Sequence, residues 1–285
     1  MVKAGKLYFG IAADINSFND TQYMAIMSNK NDFGMITTEN SNKWDVTEPA
    51  ADQKFNYTNV DIVVAKTRGN GQMMSCYTLV WQKALPTWVE NGKWTNETLI
   101  AVMEAHITNV VTHFKGSCYA WHVVNEAVDD TADAPYRDTV FFRTVTPSFT
   151  GSLLYYTDYG IEALAYKASA VVKIVKDLQA RGIKIDGVGF QGHNVVGATP
   201  ERSALADLLR KFTALGLEVA WTEVEIRHEK LPPSASDLQQ QSDDYAALVG
   251  ACLDVKECVG VTVWQFTDKY NWVSQSFPTE GDACL

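Results

Sequence analysis

Glu126, preceded by Asn125, closes the apolar run CYAWHVVNE (118–126), and Glu223 lies within a second such run, EVAWTEVEI (218–226). Two carboxylates facing each other across a cleft are the equipment for cleaving a glycosidic bond: one protonates the leaving oxygen, and the other attacks the anomeric carbon or activates water. Glutamate is common at strand ends, so the pair gains weight only from its company. Glu39 and Asn40 end the run DFGMITTEN (32–40), with Lys43 and Trp44 just beyond. MMSCYTLVW (73–81) ends in Trp81 and is followed by Gln82, while GVGFQGH (187–193) carries Gln191 and His193. GVTVWQFTD (260–268) carries Trp264, and Trp272 follows in the next loop. A single tryptophan is more often core than ligand platform. Together these donors, acceptors and indoles suit sugar hydroxyls and sugar faces, where packing alone would favour Val, Ile and Leu.

The elements that must position these groups are short and regular. KLYFGIAAD (6–14) and SLLYYTDYG (152–160) bring the apolar or β-branched runs to eight. Near-continuous apolar character over five to seven residues marks strands buried on both faces, as in a parallel sheet covered by helices. Eight in alternation with helical segments predict a closed barrel, with reactive groups at the C-terminal ends of its strands. Helical periodicity is clear at 96–114, 161–181, 201–215 and 237–253, and weaker at 20–29 and 58–68. In the first, Leu99, Val102, Ile107 and Val110 are expected on one buried face. The stretch DDTADAPYRDTVFFRTVTPSFTG between the fourth and fifth runs has only a brief apolar cluster, and little chain follows the eighth. The fourth helix is therefore expected to be short or missing and the final helix absent. No linker or composition shift divides the chain, which reads as one domain over 1–285.

The charge balance narrows the partner. With 24 Lys and Arg against 34 Asp and Glu in 285 residues, a formal charge of −10 disfavours nucleic acid and acidic membrane surfaces. A neutral or small ligand fits better, and 8 Trp, 12 Tyr and 12 Phe offer flat faces to bind one. No apolar run reaches the roughly 18 residues of a membrane span. MVKAGKLYFG carries no leader pattern, which fits either a cytosolic protein or one whose signal peptide has been replaced by a starting Met. Cys252 and Cys258 bracket a short loop with no zinc-site neighbours, favouring a disulfide over free thiols. Sequons at Asn19, Asn56 and Asn96 point the same way, and secretion is the expectation. Cys76 and Cys118 lie near the starts of neighbouring runs, where a second bridge is conceivable; Cys284 is left over.

KLYFGIAAD, TTENSNKWDVTEP, YTLVWQKALPTWV, HITNVVTHFKG, YAWHVVNEA, DGVGFQGH, TEVEI and GVTVW, in this order, resemble glycoside hydrolase family 10, the endo-β-1,4-xylanases. The resemblance runs from about residue 6 to 280. It implies an α/β fold, the (β/α)8 TIM barrel, and a retaining double displacement on β-1,4-xylan or xylo-oligosaccharides by a monomer without cofactor or metal. It further implies Glu126 as acid/base and Glu223 as nucleophile. Glu39, Asn40, Lys43, Gln191 and Trp264 are expected along the glycone side, with Trp81 and Trp272 nearby. Asn125 would bond the sugar 2-hydroxyl, and His193 would hold Glu223 ionised. The Cys252–Cys258 spacing matches a disulfide of that family.

The departures from the family pattern cluster at the same place. Tyr77 and Gln82 stand where histidines are usual, His122 replaces an aspartate four residues before the acid, Gly160 replaces an asparagine, and Glu225 lengthens an aspartate. Gln82 can still donate to a sugar hydroxyl but carries no charge, so weaker binding there is expected. His122 in place of an acid is expected to lower the pKa of Glu126 and shift the optimum to lower pH. A slowed xylanase is the leading expectation. A catalytically silent xylan- or inhibitor-binding relative, or a barrel altered for another activity, are its rivals.

Overall fold

Each of the eight apolar runs supplies one stave of a ring of parallel strands. The computed structural model describes residues 1–51, 54–132, 136–144 and 153–284. The strands are β1 (Tyr8–Ala12), β2 (Met35–Thr37), β3 (Met73–Cys76), β4 (Val80–Trp81), β5 (Ala120–Asn125), β6 (Leu153–Asp158), β7 (Gly187–Phe190), β8 (His193–Val195), β9 (Glu218–Arg227) and β10 (Cys258–Val263). Their order is β10-β1-β2-β3-β5-β6-β7-β9, and pairing of β10 with β9 closes the ring. The runs at 73–81 and 187–193 are each interrupted. β4 continues β3 along β5 after a cis Tyr77–Thr78 bond, and β8 continues β7 along β9 after Gly192.

The helices are α1 (Thr21–Met27), α2 (Trp44–Thr47), α3 (Thr58–Asn70), α4 (Thr87–Glu90), α5 (Asn96–His113), α6 (Val140–Thr144), α7 (Ala165–Ala180), α8 (Arg202–Thr213), α9 (Ala235–Asp254) and α10 (Val273–Ser276). Local chemistry sets several ends. Thr95 with Thr98 and Ser234 with Asp237 form capping boxes that satisfy the first free N–H groups of α5 and α9. On α8 the buried Leu205, Leu208, Leu209 and Phe212 recur at helical spacing against the barrel. On α5 the buried stripe is Leu99, Met103, His106 and Val110. Val102 and Ile107, expected on it, are only half-buried at its flanks.

Among the described residues α6 runs for five residues to position 144, and a four-residue α10 follows β10 where no final helix was expected. Outside β5 and β6, a cavity of about 460 Å³ is lined by Val123, Phe141, Tyr156, Ile174 and Leu178. At the floor of the barrel, Tyr8 and Tyr155 fill the interior because their neighbours are glycines. A Cβ on Gly260 would lie 2.5 Å from the Tyr8 ring, and one on Gly187 as close to Tyr155. Glu218 accepts the Tyr155 hydroxyl at 2.5 Å and that of Tyr119 at 3.1 Å. Disulfides join Cys76 to Cys118, tying β3 to the start of β5, and Cys252 to Cys258, tying α9 to β10. Cys284 is free.

Candidate active site

Parallel strands that all point one way deliver their C-terminal residues to a single mouth, and the chemistry-bearing side chains gather there. Glu223 leaves the middle of the ten-residue β9, its N–H bonded to the Gln191 carbonyl at 3.0 Å. It is buried, and one carboxylate oxygen lies 3.4 Å from His193 Nε2. The other ring nitrogen of His193 is 2.8 Å from Glu225. Glu225 also accepts Asn271 Nδ2 at 2.7 Å and Trp272 Nε1 at 2.8 Å. The chain Glu223–His193–Glu225–Trp272 is continuous. Burial raises the Glu223 pKa above the ordinary range, and the bond from His193 opposes that rise. Burial alone would strip His193 of its charge, but Glu225 and Glu223 hold its pKa at about 10.

Glu126 ends β5 in a different setting. Its backbone is left-handed, φ 56°, which is uncommon for a residue other than glycine and turns the chain sharply out of the strand. Gln191 Nε2 lies 3.2 Å from one carboxylate oxygen, and Lys83 Nζ 3.3 Å and Gln82 Nε2 3.5 Å from the other. The turn is held from outside: Arg137 donates to the Glu126 carbonyl at 3.0 Å and grips Asp130 with two bonds of 2.8 Å. Asn125 sits between the Tyr77 hydroxyl at 3.0 Å and Thr157 Oγ1 at 2.7 Å; with its oxygen turned towards Trp81, it accepts from the indole N–H at 3.3 Å.

Further round the mouth, Asp14 accepts the N–H groups of Asn40 and Ser41 at 2.7 Å each, fixing the loop that leaves β2. Asn40 Oδ1 in turn accepts Lys43 Nζ at 2.6 Å. Lys43 lies over the Trp81 ring at 4.8 Å, and burial lowers its pKa while Glu223 and the neighbouring acids oppose the fall. Glu39 is buried and bonded by Gln265; burial, then the charge of Asp14, pushes its pKa up to about 8. Trp264 packs edge-to-face on Tyr77 at 5.4 Å, and Trp272 stands half-exposed at the rim.

All twelve candidate site residues thus gather at one end of the barrel. One reading from the sequence needs correction. Trp44 is no sugar platform: it is buried, stacked on His106 at 4.0 Å, with its N–H given to Glu48. His122 does not touch the acid. Its Nε2 pairs with Ser75 Oγ at 2.9 Å beneath the Tyr77 ring, and burial pushes its pKa down to about 3. His122 is thus neutral, so this position lacks an acid's negative charge without gaining a positive one. Sequence reasoning missed Asp14, Lys83, Arg137 and Gln265. Lys83 and Gln265 were within reach of it, each one residue beyond a singled-out neighbour, and Asp14 ends the run at 6–14; Arg137 acts across a fold of the chain and left no local signal. Among the described residues, no group of three or more His, Cys, Asp or Glu is arranged to hold a metal ion.

A family model described as glycosyl hydrolase family 10 matches residues 1–285. Endo-1,4-beta-xylanase 5 of Pyricularia oryzae is 48% identical over 294 residues, covering all of this chain and 72% of that protein. Endo-1,4-beta-xylanase 1 of Humicola insolens is 49% identical over 297 residues, covering all of this chain and 68% of its own length. The crystal structure of a GH10 xylanase from Bispora sp. MEY-1 with xylobiose superposes with a TM-score of 0.94 at 39% identity, covering all of this chain and 91% of that one.

Proposed function

The chain belongs to glycosyl hydrolase family 10 and hydrolyses β-1,4-xylan as an endo-xylanase of that retaining family, and we propose that Glu126 and Glu223 divide the reaction between them. In the first step Glu126 gives its proton to the glycosidic oxygen as the Glu223 carboxylate attacks the anomeric carbon, forming a glycosyl-enzyme. In the second, Glu126 takes a proton from water, which attacks the same carbon and releases Glu223. The observation that carries this division is the difference in partners. Glu223 lies 3.4 Å from a histidine ring that two carboxylates keep charged, a partner that favours the ionised nucleophile. Glu126 faces the amides of Gln82 and Gln191 and the half-exposed Lys83.

Glu39, Asn40 and Lys43, with Trp81 and Trp264, form the glycone wall in this reading, and Trp272 extends it at the rim. Asn125 beside Gln191 is placed for the 2-hydroxyl of the sugar being transferred. Xylo-oligosaccharides are the expected soluble ligands. The two disulfides support operation in an oxidising, extracellular compartment. Reducing-end release from β-1,4-xylan, compared with the Glu223→Gln protein, tests the assignment. Turnover lost in the variant, with xylo-oligosaccharide binding kept, is the expected result; undiminished turnover would overturn it.

A further inference from the structure

Gln265 directly follows Trp264 and adopts φ 75°, a left-handed conformation that residues other than glycine seldom take. It is only 1% exposed, and its amide is used at both ends. Oε1 accepts the Tyr23 hydroxyl at 2.7 Å, while Nε2 donates to Glu39 Oε1. Tyr23 is itself locked: its ring stacks on Phe266 at 4.7 Å and meets the edge of Tyr270 at 5.2 Å. Residue 265 therefore binds the hydroxyl of Tyr23 and residue 266 its ring. A residue held in a sparsely populated backbone region persists when its surroundings determine it, and such residues concentrate at ligand sites. Here the determinants are two buried hydrogen bonds, one of which ends on a carboxyl of the glycone wall.

The Glu39 main chain and side chain are controlled separately. Asp14 fixes the backbone at the next two residues, 40 and 41. Rotation of the Glu39 carboxyl is left to Gln265. Without this donor a carboxyl buried beside Asp14 has lost a hydrogen bond that replaces water, and it is free to turn.

We propose that Gln265 is a positioning residue for glycone recognition, holding the Glu39 carboxyl in the orientation that receives a sugar hydroxyl, with Tyr23 orienting the Gln265 amide. The proposal rests on the reading of Glu39 as a glycone residue. Its consequence is selective: substrates that reach Glu39 depend on Gln265 more than substrates that do not.

The test uses the full chain with 4-nitrophenyl β-xyloside, which places one sugar on the glycone side, and 4-nitrophenyl β-xylobioside, which places two. In Gln265→Gly, a residue suited to the observed φ, the ratio of kcat/KM for the bioside to that for the xyloside should fall about tenfold, mainly through KM. Tyr23→Phe keeps the stacked ring and should lower the ratio about threefold; it carries the test should the glycine variant not fold. Glu39→Gln separates the two layers. If it leaves the ratio unchanged, the glycone reading of Glu39 is wrong. If it lowers the ratio while the Gln265 and Tyr23 variants do not, or if these lower kcat on both substrates alike, the positioning role is wrong.

Discussion

Glu223 is surrounded by mutually hydrogen-bonded neighbours from β8, β9 and the loop after β10, whereas Glu126 is itself a left-handed residue at the turn that leaves β5. The long helices α8 and α9 pack behind the first glutamate's strand, and the five-residue α6 follows the second's. The two settings match what each group must do. A nucleophile keeps one charge state until it bonds, so a fixed, charged partner helps it. An acid/base gives up a proton and regains it in every turnover, so it works best without a partner that locks either state. Glu223 thus meets one charged ring through one oxygen, whereas Glu126 meets the Gln191 and Gln82 amides and the half-exposed Lys83 ammonium. The loop at Glu126 is steadied through its backbone by Arg137 and Asp130 rather than through its carboxyl.

Deleting each carboxylate in turn while varying the leaving group should separate the two glutamates most widely. Glu223→Gln should lower turnover of xylan and of aryl xylosides alike by about 10³-fold or more, equivalent to about 4 kcal/mol of barrier. Glu126→Ala should lower xylan turnover by about 10² to 10⁴-fold, yet spare aryl xylosides whose phenolate leaves without protonation. If the leaving group rescues the first variant and not the second, the roles are exchanged.

His193→Asn probes the Glu223 side. In the native protein the His193 bond lowers a Glu223 pKa that burial has raised. Removing it lets that pKa climb, so the ionised fraction is lost at a higher pH as acid is added. The acid limb of the kcat/KM profile should move upward and activity fall about 10 to 100-fold. An unmoved limb would mean that His193 supports Glu225 and Trp272 rather than the nucleophile. The bridge also ties stability to pH. Its contribution is fully present below the ordinary histidine pKa and is lost as pH rises through about 10, so native and variant melting temperatures should converge in strong alkali.

The smallest expected effect lies on the Glu126 side. Gln82 reaches Glu126 at 3.5 Å, the outer limit of a hydrogen bond. Gln82→Ala should therefore cost about threefold or less in kcat/KM on xylan. A much larger loss would show that the acid is held more tightly than its contacts imply.

Much of the fold was legible because burial on both faces imposes near-continuous apolar runs, and a parallel strand must be followed by a crossover. That reading located all eight staves. It could not tell that β3 and β7 break and resume as β4 and β8, since periodicity records which way a side chain points and not which strand it pairs with. On α5 the same limit replaced Val102 and Ile107 with Met103 and His106 in the buried stripe.

The chemistry at strand ends was determined by the sequence itself: Glu126, Glu223 and their polar company had to reach one mouth once the strands ran parallel. Residue type alone did not decide which indole would meet a sugar. Trp44 turned inward onto His106, while Trp272, tethered through its N–H to Glu225, stayed at the rim. Nor did it decide that His122 would be neutral, because that follows from burial against Ser75 and Tyr77. Gln265 and Glu39 are 226 positions apart, and only closure of β10 onto β1 brings them into one hydrogen bond. Local pattern fixes which faces are apolar and where reactive groups can stand. Charge state and orientation belong to the tertiary structure, because both depend on what long-range packing places within a few ångströms.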